Sequence, residues 1–124
     1  TGMTQEVGRC RAALQTAGEG QTVAVVCSGD AGVYGMAGLV YQLSQDYPPV
    51  EIEVVPGVSA ALSGAALLGA PIGHDFAVVS LSDLLTPWAL IERRLDAVAA
   101  ADFLLCLYNP ASKGRKDHLK AGMF

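Results

Sequence analysis

Residues 22–35 read Thr22-Val-Ala-Val-Val-Cys-Ser-Gly-Asp-Ala-Gly-Val-Tyr-Gly35. The first six residues are largely apolar and β-branched, with no alternation. Such a run predicts a strand covered on both faces, as in a parallel sheet. Ser28-Gly29-Asp30-Ala31-Gly32 then predicts a turn. From Val33 to about Gln45 the pattern is helical, with Val33, Met36, Leu39, Val40 and Leu43 on one face. Pro48 and Pro49 end it. Strand, glycine turn and helix in succession are one unit of an α/β fold.

Outward from this stretch the unit recurs. Upstream, Val7, Cys10, Leu14 and Ala17 mark a helix that Thr4 can cap and that Gly18 and Gly20 stop. Downstream, Glu51-Ile-Glu-Val-Val55 predicts a strand, half-covered at its start. Pro56-Gly57 turns into a helix of small residues from about Ser59 to Leu68. Phe76–Leu81 predicts a third strand. Thr86 as cap and Pro87 at the first helical position open a helix with Trp88, Ile91, Leu95 and Val98 inward. Phe103–Tyr108 predicts a fourth strand, ending at Asn109-Pro110. The fold class is α/β, with strands mostly parallel and a break in the pattern between Gly69 and Asp75.

Composition narrows the function. The chain has 124 residues, 52% of them apolar and 16% charged, which excludes disorder. Its net charge of −4 argues against a general nucleic-acid coat. No apolar run is long enough for a membrane span, and no signal-peptide pattern opens the chain. Cys10, Cys27 and Cys106 lie far apart, which excludes a disulfide framework or zinc ribbon and fits a reducing cytosol. The first residue is Thr1, and neither half carries enough strands to close a good sheet; we therefore expect a piece of a longer protein.

Ligands of open α/β sheets bind beyond the carboxyl ends of the strands. Three such ends stand out: Ser28-Gly29-Asp30, Pro56-Gly57-Val58-Ser59-Ala60 and Tyr108-Asn109-Pro110. Glycines there admit positive φ and close approach of a ligand to the backbone. The helix start after Gly32 suits a carboxylate or phosphate, and Asp30 suits a cation, a pairing that fits the methionine end of S-adenosylmethionine. Structural readings stand beside these. Asp30 and Ser59 are favoured helix caps, Pro-Gly is a common turn, and a turn asparagine is usually structural. The loop is neither a dinucleotide fingerprint nor a P-loop, and no nucleophile elbow is present. His74-Asp75 lacks the converging ligands of a metal site, so no metal is expected. Lys113, Arg115, Lys116 and Lys120 form a basic cluster, read either as a solvated face or as a patch for an anionic substrate.

Taken together and in this order, the three strand ends resemble the tetrapyrrole methylase family. SGDAGVYGMAG at 28–38, GHDFAVVSLSDLLTPW at 73–88 and LYNPASKGR at 107–115 are similar to its branch that methylates carbon 17 of precorrin-3B in vitamin B12 synthesis. The resemblance implies a cofactor pocket for S-adenosylmethionine lined by Ser28, Gly29, Asp30, Val33, Ser59, Ala60 and Asn109, with Tyr108 close by. It implies parts of two α/β domains. Residues 1–73 would be a partial first domain, lacking its opening strand and loop, and 74–124 the start of a second. Ala31 departs from the proline that many relatives carry. The resemblance implies a homodimer acting on an anionic tetrapyrrole; composition and cysteine usage point to a cytoplasmic protein without nucleic-acid or membrane partners, and the piece alone is expected to be inactive. No acid or base for the accompanying ring contraction is assigned. Another methylase of the family, or a non-catalytic nucleotide-binding module, are the competing readings.

Overall fold

Helix α1, Met3–Gly18, carries Cys10 and Leu14 one turn apart on a single face. Both are buried, at 0% and 3% exposure. The computed structural model describes residues 3–111 and 118–121. Thr4 stands inside α1 rather than at its cap, because the helix already includes Met3. Gly20 closes the other end: it adopts φ +85, and its N–H donates to the Ala17 carbonyl at 2.9 Å. Burial pushes the Cys10 thiol above its ordinary value. By its internal contacts the chain divides into two compact units, Thr1–Leu62 and Ser63–Phe124.

In the first unit α1 packs on α2, Ala37–Ser44. The pattern predicts this helix from Val33, four residues earlier. The difference lies in the turn before it. Tyr34 adopts φ +50, and the Ala37 N–H donates back to the Ala31 carbonyl at 3.0 Å. A Cβ on Gly35 would collide with the Ala31 backbone, so residues 31–36 form a tight loop and the helix starts after it. Met36, Leu39, Val40 and Leu43 are half-buried, whereas Val33 is exposed. The Tyr41 hydroxyl donates to the Ile52 carbonyl at 3.3 Å, tying α2 to the segment after Pro49.

Two of the four expected strands form no ladder. Residues 22–27 and 51–55 are not paired, and Val26 and Val55 are 85% and 72% exposed. The expectation of a strand covered on both faces fails here for a physical reason. A β-branched run supplies strand propensity, but a ladder needs a second edge to bond, and among the described residues neither run has one.

Helix α3, Ala60–Leu67, follows the turn at 56–59, and none of its residues is buried. It ends where Gly69 adopts φ +85 and the Ala70 N–H donates to the Ala65 carbonyl at 2.7 Å.

The second unit contains the sheet. β1, Phe76–Ser80, and β2, Leu104–Tyr108, pair in parallel, with Phe76 opposite Leu104 and Ser80 opposite Tyr108. The parallel pairing expected of the α/β class is therefore present, and it lies between residues 76 and 108. Helix α4, Trp88–Ala100, connects the two strands. Parallel neighbours need such a crossover. Its cap position is Pro87, at φ −55 and ψ 139, rather than Thr86. Val79, Leu81, Ile91 and Leu95 form the core, with Trp88, Val98, Leu105 and Leu107 packed around it. Leu81 and Ile91 are fully buried, each contributing about 1.5–3 kcal/mol from apolar burial. Trp88 thus belongs to the packing, and its Nε1 donates to Glu92 one turn on, at 2.7 Å. Asp102, at φ +55, ends α4, and the Phe103 N–H turns back to the Val98 carbonyl. That bond removes Phe103 from the strand. A short helix α5, His118–Ala121, includes Lys120; Lys113, Arg115 and Lys116 lie outside the described residues.

Candidate functional site

The sequence after Cys27 has to reverse direction within a few residues, and it does so around Asp30. Gly29 adopts φ +74, a conformation that favours glycine. The Gly32 N–H donates to Asp30 Oδ1 at 2.7 Å, and the Val33 N–H donates to the Asp30 carbonyl at 3.2 Å. This is the local side-chain turn that aspartate favours. The second oxygen reaches much further along the chain: Oδ2 accepts the N–H of Gly57 at 2.9 Å. Backbone amides of Gly57, then Gly32, then Val33 hold the Asp30 carboxyl below its ordinary value.

The two turns meet closely. A Cβ on Gly57 would overlap the Gly29 carbonyl oxygen, and one on Gly29 would come within 3.9 Å of the Val58 carbonyl oxygen. Only a glycine at 57 permits that approach. Ser59 follows, buried at 8% exposure, and Ala60 opens α3. Ser28, Gly29, Asp30, Val33, Ser59 and Ala60 therefore all belong to the first unit, where the Asp30 carboxylate joins their two turns directly.

Tyr108 and Asn109 belong to the second unit. Tyr108 is the last residue of β2, and its carbonyl accepts the N–H of Leu81 at 2.9 Å. Asn109 follows at φ +52, a left-handed conformation that asparagine tolerates better than most residues. Its Nδ2 donates to Ser80 Oγ at 2.9 Å, and the same oxygen accepts the Ser82 N–H at 3.2 Å. Ser80 is the residue that motif reading misses. The signal was available in the register: two equal parallel strands, aligned from Phe76 and Leu104, end on Ser80 and Tyr108 together. Among the described residues, no three of His, Cys, Asp and Glu come together to hold a metal ion. His74 and Asp75 are exposed just before β1.

Residues 4–122 match the family model of Tetrapyrrole (Corrin/Porphyrin) Methylases. The chain belongs to this family. A probable cobalt-factor III C(17)-methyltransferase of Salmonella typhimurium is 54% identical over 120 residues, covering 96% of this chain and 50% of that protein. A cobalt-factor III methyltransferase of Priestia megaterium is 56% identical over 121 residues, covering 94% of this chain and 22% of that protein. Among solved structures, that of the methyltransferase CobJ superposes with a TM-score of 0.89 at 41% identity, over 95% of this chain and 51% of that one. The tetrapyrrole methylase chain described here thus spans about half the length of the Salmonella relative and of CobJ. Its matched stretch contains both turns that Asp30 joins and the Ser80–Asn109 pair.

Proposed function

We propose that the complete protein transfers a methyl group from S-adenosylmethionine to carbon 17 of precorrin-3B or its cobalt form, with ring contraction, in cobalamin biosynthesis. The observation that carries this reading is the joined pair of turns at 28–33 and 56–60, within a chain 54% identical to a probable cobalt-factor III C(17)-methyltransferase. The names of the relatives favour the cobalt-bearing substrate.

The residues present suit the cofactor. A ligand held by backbone groups needs turns without bulky side chains, and Ser28, Gly29 and Ala60 are small, while Gly57 lets the second turn approach the first. When bound, S-adenosylmethionine supplies an activated methyl on a sulfonium. The chain's contribution is then alignment, which can account for several kcal/mol of the barrier, roughly in the range known for oriented reactants. In this reading Ser28, Gly29, Asp30, Val33, Ser59 and Ala60 of the first unit, and Tyr108 and Asn109 of the second, are the cofactor-binding residues. Ser80 holds the Asn109 side chain in place. Residues 1–73 and 74–124 are taken as parts of the N-terminal and C-terminal methylase domains.

The substrate in this reading is anionic, and Lys113 and Arg115 are assigned to its carboxylates. The protein is read as a cytoplasmic homodimer that engages neither nucleic acid nor membrane. No helix among the described residues is long and apolar enough to cross a membrane. The test uses the full-length protein with methyl-labelled S-adenosylmethionine and each form of the tetrapyrrole. Label at carbon 17 of a ring-contracted product is expected. A folded protein that leaves both forms unlabelled, yet labels another tetrapyrrole, would replace the substrate while keeping the reaction.

A further inference from the structure

Asp30 is a natural candidate for direct contact with the cationic end of the cofactor, and its geometry points to a different task within the chain. Both carboxylate oxygens are engaged by the chain itself: Oδ1 by the Gly32 amide at 2.7 Å, Oδ2 by the Gly57 amide at 2.9 Å. Bonds of this length to an ionised acceptor are the stronger class of hydrogen bond. The partner at 57 is itself constrained. A Cβ there would stand 3.0 Å from the Gly29 carbonyl carbon and 3.3 Å from the Asp30 Cα, besides overlapping the Gly29 oxygen. The same carboxylate that draws Gly57 inward thus depends on the missing side chain at that position.

We propose that Asp30 is a positioning residue: its carboxylate latches the turn at 56–60 onto the turn at 28–32 and so sets the spacing of the backbone groups that receive S-adenosylmethionine. The inference rests on the cofactor reading above and adds a division of labour to it. Asp30 and Gly57 build the pocket wall, and Asp30 acts on the ligand through the place it gives Gly57.

The two roles respond differently to a truncated ligand. A latch holds the whole wall, so its loss weakens every ligand of the pocket. A direct ion pair is felt only by ligands that carry the ammonium group. Calorimetric titration of the full-length protein therefore uses S-adenosylmethionine and 5′-methylthioadenosine, which lacks the amino acid portion. Asp30→Ala is expected to weaken both by a similar factor, roughly tenfold or more if the latch is worth one charge-assisted bond. Asp30→Asn keeps one acceptor oxygen and is expected to lose less. Gly57→Ala should weaken both ligands as well. Because the two residues act as one device, the double variant should be about as weak as the worse single one. Amide exchange at Gly57 in the ligand-free protein should accelerate in Asp30→Ala and less so in Asp30→Asn. That measurement also reads the latch where a variant is too unstable to titrate.

The proposal fails if Asp30→Ala weakens S-adenosylmethionine alone while methylthioadenosine binding and Gly57 protection are unchanged. That result would assign Asp30 to the ligand directly. It also fails if the two substitutions add, or if melting temperature falls with both dissociation constants unmoved. A folded wild-type protein that binds neither ligand would overturn the cofactor reading and the latch with it.

Discussion

Asp30 and Asn109 solve the same problem in different ways. Each follows an apolar run, and each holds a turn through a side-chain hydrogen bond to a distant residue. Because backbone amides lower the Asp30 carboxyl, its stabilising contribution is full above the ordinary value of 3.8 and disappears as pH falls through the lowered one. In an NMR titration the Gly57 amide should therefore shift with a midpoint below 3.8; a midpoint at or above it would contradict the observed bonding. At the other turn, φ +52 makes Asn109 sensitive to branching rather than to polarity alone. Asn109→Gly should retain most of the protein's stability, whereas Asn109→Val should cost about 1–2 kcal/mol in denaturant unfolding. Ser80→Ala should cost about 0.5–1.5 kcal/mol, the range of one hydrogen bond, and lower affinity for S-adenosylmethionine by loosening Asn109. Equal affinity in Ser80→Ala would remove Ser80 from the site.

The elements show what a pattern of side chains can and cannot specify. α4 was legible because its inward residues recur at helical spacing and meet a core: Ile91 is fully buried and Leu95 nearly so. Ile91→Ala should therefore destabilise the protein by about 2–5 kcal/mol, measured by denaturant unfolding, while the folded fraction binds S-adenosylmethionine as before. β1 and β2 were legible because two apolar runs, separated by a crossover helix, find each other in parallel register. The runs at 22–27 and 51–55 have comparable composition and no ladder. Their side chains announce an extended, buried segment, but pairing depends on an edge that composition does not name. The start of α2 was misplaced for a related reason. The close packing of Gly35 on Ala31 is a backbone event, and the hydrophobic positions from Val33 onward carry no trace of it. The Asp30–Gly57 bond was likewise invisible, since it spans 27 positions and involves a glycine that reads as an ordinary turn residue. Both turns are nonetheless legible by residue type, Ser28-Gly29-Asp30 in one and Pro56-Gly57 in the other.

The whole molecule is an acidic chain, at net charge −4, with a local concentration of bases at Lys113, Arg115, Lys116 and Lys120. For the polycarboxylate substrate proposed above, such a cluster would supply a local attraction on a chain of net negative charge. In the full-length protein, the double substitution Lys113→Glu and Arg115→Glu should weaken tetrapyrrole binding severalfold, more at low salt than at high, and leave S-adenosylmethionine binding unchanged. Unchanged tetrapyrrole affinity would return the cluster to a solvated face. The cofactor assignment itself is tested most directly by hydrogen exchange on the full-length protein with and without S-adenosylmethionine. Protection should rise together in the segments around 28–33, 56–60 and 107–110, and remain level in α4 at 88–100. Saturating S-adenosylmethionine that leaves all three turns exchanging as fast as before would contradict the account.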